Sequence, residues 1–249
     1  MSLWSQLVEK HEYSGVPIGN ICFGIPTINR KDLLEGCLKD IASHIGDIPL
    51  CKVVLIDNGN QNISSIVPLE LKDKTAVYTE SKNLGVAGSW NKIMRIGFDD
   101  CGVSHTLLLN DDIALGQAFF KDYTNVLEDH PDACIINSGY FWSCVTITKR
   151  CWDNIGQFDD NFFPAYFEDN DYHTRVKLYE EHTGEKLYVH DPRLNPALQR
   201  NSQSISRDGS LNSRYSANSS YYTEKWGAGP TNPRYKSPFN KGGETPWKL

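Results

Sequence analysis

The 249-residue sequence has no CxxC pair, no apolar run near the roughly 18 residues a membrane span needs, and no excess of basic side chains. Each absence excludes something. The seven cysteines, at 22, 37, 51, 101, 134, 144 and 151, are odd in number and lack metal-ligand spacing, which argues against structural zinc and a disulfide framework. Cys22, Cys134 and Cys144 lie inside apolar runs, where a thiol acts as a small buried hydrophobe. Reduced cysteines imply a reducing compartment, and Met1 to Gly15 has no apolar signal core, so a cytoplasmic location is expected. With 25 basic against 31 acidic side chains the formal net charge is −6. That is the reverse of a nucleic-acid binder, which neutralises phosphates with clustered Lys and Arg.

What is present suits a folded enzyme. An apolar fraction of 39% and an aromatic fraction of 11% are enough for a packed core, and the length allows one large α/β domain with an appendage. Short apolar runs alternate with helical patterns between about 18 and 148. Strands are expected at Ile18–Ile25 (closed by Pro26), Val53–Ile56, Ala76–Thr79, Thr106–Leu109 and Ala133–Ile136. Asn29 is expected to cap a helix carrying Leu33, Leu34, Cys37, Leu38 and Ile41. Further helices carry Trp90, Ile93 and Met94, then Phe119–Leu127. Phe141–Thr148 reads as an antiparallel strand, Glu168–Glu181 as a helix and Leu187–Val189 as a strand. From about 191 onward little periodicity is visible. Such alternation means a mainly parallel sheet covered on both faces, with ligands at the C-terminal ends of its strands.

Aspartates stand at two of those ends. Leu107-Leu108-Leu109 runs into Asn110-Asp111-Asp112, adjacent carboxylates suited to Mg²⁺ or Mn²⁺ beside a diphosphate; an Asx turn is the alternative. Val53–Ile56 ends in Asp57-Asn58-Gly59, itself a natural turn. Asn83-Leu84-Gly85-Val86-Ala87-Gly88 lets a ligand approach the backbone at a helix start, or is a plain turn. A second acidic stretch, Phe158-Asp159-Asp160 and then Tyr166-Phe167-Glu168-Asp169-Asn170-Asp171, could supply a general base; complementing a helix dipole is the structural alternative.

Taken in order, Pro26-Thr27-Ile28-Asn29-Arg30, Ile56-Asp57-Asn58-Gly59, Asn83-x-Gly85 to Asn91, Leu109-Asn110-Asp111-Asp112 and Phe167-Glu168-Asp169-x-Asp171-x-x-x-Arg175 make a series. It resembles the family 2 glycosyltransferases of the GT-A fold, including rhamnosyltransferase-like members, over roughly residues 18–190. The resemblance implies a mainly parallel Rossmann-like sheet flanked by helices. It divides the chain into a transferase domain over 1–200, with a nucleotide-binding half at about 18–112 and an acceptor half at about 113–200. An irregular extension over 201–249 would be a lid or an acceptor or oligomer contact.

The resemblance also implies roles. Pro26, Thr27, Asn29, Arg30 and Asp57 would meet the nucleotide base and ribose, and Asn83, Gly85 and Asn91 would line the donor site. Asp112 would bind Mn²⁺ or Mg²⁺, with Asp111 facing the ribose or donor sugar. Asp169 would be the catalytic base of an inverting transfer. Glu168 and Asp171 would position the helix or the acceptor, and Tyr166 or Trp142 would stack on a sugar ring. Many relatives complete the metal site with a His beyond the helix; the equivalent count from Gly184 reaches Gln199, leaving His190 as the nearby choice of second ligand. A UDP- or dTDP-linked sugar is the favoured donor, with a glycan or other hydroxyl as acceptor. Two rivals stand: a nucleotidyltransferase, although Gly24-Ile25-Pro26-Thr27 lacks a basic phosphate loop, and a non-catalytic nucleotide-sugar- or carbohydrate-binding protein. The tail holds Tyr215, Tyr221, Tyr222, Trp226, Tyr235, Phe239 and Trp247, which suit sugar contacts or packing of loops.

Overall fold

The structure is a computed structural model and describes residues 20–138, 142–194, 197–199 and 209–249. The apolar runs form strands β1 (Ile21–Thr27), β2 (Leu50–Asp57), β3 (Thr75–Thr79), β4 (His105–Leu109), β5 (Ile113–Leu115), β6 (Ile135–Asn137), β7 (Cys144–Thr148), β8 (Tyr188–His190) and β9 (Ala197–Gln199). Between them lie α1 (Lys31–Ser43), α2 (Gly85–Arg95), α3 (Gln117–Asp129), α4 (Lys149–Ile155) and α5 (Glu168–Thr183), and α6 (Tyr215–Trp226) follows. The expected strand starts at Ile18 and Phe141 lie outside the described residues.

Seven strands form one sheet in the order β3-β2-β1-β4-β7-β6-β8, and β5 pairs with β9 in a small second sheet. The β1–β2, β2–β3 and β1–β4 pairs are parallel, whereas β7 runs antiparallel to both β4 and β6. The sheet is buried on both faces. Ile21, Phe23, Leu55 and Leu107 pack on α1 and α3, while Cys22, Val54, Ile56 and Leu108 pack on α2, α4 and α5. This two-sided burial is why the strands read as continuous apolar runs. At Gly24 a Cβ would lie 2.0 Å from Ile93 Cγ2, so only glycine lets α2 sit this close to β1.

Two local expectations change. Pro26 lies within β1, paired with Ile56, rather than closing it. The pairing of β1 with β4 stops at Gly24, so beyond that point β1 has one neighbour and tolerates a residue without an N–H. Asn29 does not cap α1: it is left-handed at φ 55°, and the N-cap is Arg30, which makes no side-chain capping bond. Asparagine is among the few residues that take this conformation cheaply. The turn carries the chain past Gly59, where a Cβ would sit 2.9 Å from Asn29 Oδ1.

The tail is not irregular throughout. α6 buries Asn218, Tyr222, Lys225 and Trp226 against α5. Tyr222 Oη lies 2.6 Å from Thr174 Oγ1, and Trp226 Nε1 donates to Asp171 Oδ1 at 2.9 Å. All seven cysteines are free, and no described helix is long and apolar enough to cross a membrane.

Candidate active site

The C-terminal ends of β1 and β4, the loop after β2, and the N-termini of α2 and α5 enclose a cavity of about 260 Å³. It lies where β1 has β2 on one side and β4 on the other, the position at which open α/β sheets bind ligands.

One wall carries opposite charges with unfinished partners. Thr27 Oγ1 donates to Asp111 Oδ2 at 2.7 Å. Burial, offset in part by that bond and reinforced by the neighbouring Asp112, pushes Asp111 up to about 7. Burial also raises Asp112, whose Oδ1 is buried with no hydrogen-bond partner. Arg30, 6% exposed, reaches Asp32 at 3.4 Å through Nε, but both terminal nitrogens are buried and unpartnered. Leaving a guanidinium buried this way is costly unless an anion completes it.

The facing wall is the first turn of α5. Tyr166 and Phe167 are left-handed in succession, at φ 78° and 73°, an arrangement that non-glycine residues adopt at a cost of about 1–3 kcal/mol each. This bend delivers Glu168 and Asp169 to the cavity at a helix N-terminus, where the dipole favours carboxylates. Burial, then the charge of Asp169, holds Glu168 well above the usual carboxylate range, and its Oε2 is buried without a partner. Asp169 is also raised by burial, against the pull of the Asn170 N–H at 2.7 Å. Two adjacent buried acids, both of raised proton affinity, suit a division in which one holds a proton while the other accepts one.

Asp112 fits a divalent cation: a carboxylate oxygen with no partner, at a strand end, beside a cation suited to phosphate. Among the described residues no three His, Cys, Asp or Glu side chains converge as a complete ligand set. Mg²⁺ and Mn²⁺ sites often take only one or two carboxylates, the rest being water and substrate phosphate, so the donor set still suits them.

Of the residues singled out from sequence, Pro26, Thr27, Arg30, Asn83, Gly85, Asp111, Asp112, Trp142, Tyr166, Glu168 and Asp169 line this cavity. Others are spent elsewhere. Asp57 is fully buried, and its oxygens accept from Gly59 N at 3.1 Å and Gln61 N at 2.7 Å, so it holds the loop beyond β2. Asn91 gives its amide to Phe158 O at 2.9 Å and accepts from Phe158 N at 2.7 Å, clamping α2 to the 158 loop. Asp171 is fully buried between Arg175, Lys225 and Trp226, which closes acceptor contact to it and leaves it a helix-positioning role. Asn29 is not in the cavity wall, and His190 sits exposed at the end of the edge strand β8. The close approach at Gly85 is by protein: a Cβ there would meet Pro164 O at 2.8 Å.

Of the lining residues not singled out from sequence, two carry polar groups that matter here. Trp90 lines the cavity with an unpartnered indole N–H, though its spacing shows only a helix core residue. Asn58 accepts from Leu84 N at 2.9 Å and donates to Ser89 Oγ at 2.9 Å, so it anchors the start of α2. Its place in the turn after β2 was the available signal.

The sheet order, the cavity at its switch point and the acidic strand end define a GT-A type α/β fold. The model of the family described as "Glycosyl transferase family 2" matches residues 22–182, and the chain belongs to that family. Two solved structures share the fold. One is the mannosyltransferase PcManGT from Pyrobaculum calidifontis in complex with GDP-Man and Mn²⁺, with a TM-score of 0.52 and 13% identity over 70% of this chain. The other is S. aureus TarS 1-349 in complex with UDP, also at TM-score 0.52 and 13% identity, over 64% of this chain. In each case 55% of the other chain is covered, so the sequence spans about half the length of these structures. None of the curated proteins compared matches the chain.

Proposed function

We propose that this chain transfers a sugar from a nucleotide-diphosphate donor to an acceptor hydroxyl, with inversion at the anomeric carbon. The observation that carries the reading is the pairing across one cavity of unsatisfied Arg30 and Asp112 with the raised carboxyls of Glu168 and Asp169. Arg30 takes the diphosphate, and Trp90 Nε1 offers a further donor. Asp112 would hold Mn²⁺ or Mg²⁺, which supplies charge neutralisation on the leaving diphosphate. Asp169 accepts the acceptor's hydroxyl proton as that oxygen bonds the anomeric carbon. The bond from anomeric carbon to diphosphate breaks, and its electron pair leaves on the diphosphate. Burial raises both acids, so a proton held on Glu168 would leave Asp169 as the ionised partner.

UDP- and dTDP-sugars follow from the motif resemblance, and GDP-sugars join them because a structural relative carries GDP-Man. The test is to incubate the full chain with each class and Mn²⁺ and measure released nucleoside diphosphate. Slow hydrolysis of at least one donor, abolished by EDTA, is the expected result. A donor that binds yet yields no diphosphate, with or without sugar acceptors, would favour the non-catalytic alternative.

A further inference from the structure

We propose that Tyr215, together with Tyr166, forms an aromatic platform on the acceptor side of the cavity that stacks against the sugar ring bearing the accepting hydroxyl. This rests on the glycosyl-transfer reading and names the partner of that site's open side. Tyr215 is the first residue of α6 and stands outside the family match over 22–182. It is 49% exposed, whereas Tyr222 and Trp226 on the same helix are buried. Its ring centroid lies 5.2 Å from that of Tyr166, at 72° between planes, and 5.2 Å from that of Phe167. Tyr166 itself lines the cavity beside Glu168 and Asp169.

The platform is held in place. Tyr166 Oη donates to Asn212 Oδ1 at 2.7 Å, and Asn218 Nδ2 donates to Ala165 O at 2.8 Å and Tyr166 O at 3.3 Å. These bonds fix the start of α6 to the same bent segment that delivers the two carboxyls. About half of the surface of Tyr215 stays open, and its ring abuts Tyr166, which lines the cavity next to Glu168 with its unpartnered Oε2. A sugar ring presents an apolar C–H face and a rim of hydroxyls, so it meets the aromatic surface and the carboxyls together. Tyrosine offers such an apolar body with a polar tip.

The experiment uses the full chain with Mn²⁺ and methyl glycosides of glucose, mannose, galactose and N-acetylglucosamine as probes. Saturation-transfer NMR reports sugar binding, and thermal shift with UDP, dTDP and GDP reports the donor side. At least one glycoside should bind the native protein. Tyr215→Ala should weaken it by about three- to tenfold, Tyr215→Phe should retain it, and the nucleotide-induced shift should be unchanged in both. Equal glycoside affinity in Tyr215→Ala and native protein overturns the platform, as does the absence of any glycoside binding to native protein. Loss of nucleotide response and glycoside binding together in Tyr215→Ala also overturns it, by assigning Tyr215 a structural role. If no nucleotide shifts the native protein while a glycoside still binds through Tyr215, the transfer reading falls and the platform stands.

Discussion

Asp169 and Glu168 are neighbours in sequence but not in circumstance. Both are raised by burial, yet Glu168 is also pushed by the charge of Asp169 and has a carboxyl oxygen with no partner. Asp169→Asn should therefore lower transfer by roughly 10² or more while nucleotide binding persists, measured by turnover and thermal shift on the same preparation. The base must be ionised, so kcat/KM should fall as pH drops through its raised value. That acid limb should lie above the ordinary aspartate range of about 3.9, should persist in Glu168→Gln and should vanish in Asp169→Asn. At the opposite wall, Asp112→Asn should uncouple nucleotide binding from the metal. A diphosphate should stabilise native protein more in Mn²⁺ than in EDTA, and the variant should show no difference. Asp111 and Asp112 could be placed at the cavity because a buried apolar strand runs into them, whereas Asp169, on a helix with no apolar stripe, was placed there by the order of the motifs. Asp57 and Asn91 lie outside the cavity wall, and no sequence pattern shows why, because their partners are backbone: the loop at Gly59 and Gln61 for one, Phe158, 67 residues away, for the other.

α6 shows where legibility ends for elements. The core strands read as continuous apolar runs, and α1, α2 and α3 show apolar spacing, because each buries its face against the sheet. α6 instead buries Asn218, Tyr222, Lys225 and Trp226, so no apolar stripe marks it. Its attachment combines those buried aromatic rings with a cluster of charges. Lys225, 1% exposed, lies 2.7 Å from both Asp159 Oδ2 and Asp171 Oδ1, and Arg175 Nε is 2.9 Å from Asp171 Oδ2. Two cations thus face two carboxylates inside the protein. Such a balanced cluster adds little net stability, but removing one member leaves an uncompensated buried charge. Lys225→Met should cost about 3–5 kcal/mol in urea unfolding. Lys225→Met with Asp159→Asn, which restores the balance, should recover much of it. A loss below about 1 kcal/mol in the single variant would mean that α6 is held by its aromatic contacts alone.

At the scale of the whole molecule, the sheet and α5 bring the acids of the candidate site to one cavity, and outside it they bury His105 and half-bury His173. Burial lowers His105, on β4, to about 4. His173, on α5 and stacked on Tyr188 at 4.4 Å, falls to about 4 through burial and then Lys177. An exposed imidazole titrates near 6.5, so between about 6.5 and 4 the unfolded chain binds protons that the native chain refuses. The histidines therefore contribute stability that is fully present above about 6.5 and is lost as pH falls toward 4. The raised pocket carboxyls act with the opposite sign, because in metal-free protein they take up protons in the native state first. Net stability against pH mixes the two, so a single curve is not diagnostic. The difference between native protein and His105→Gln isolates one histidine, since the pocket is common to both. From about pH 7.5 to pH 5 the native protein should lose about 1–2 kcal/mol more than the variant, read from urea midpoints at matched ionic strength. Parallel losses in the two proteins would mean that His105 takes up its proton in the folded state at an ordinary pH, and that the sheet opens locally around β4 to let it.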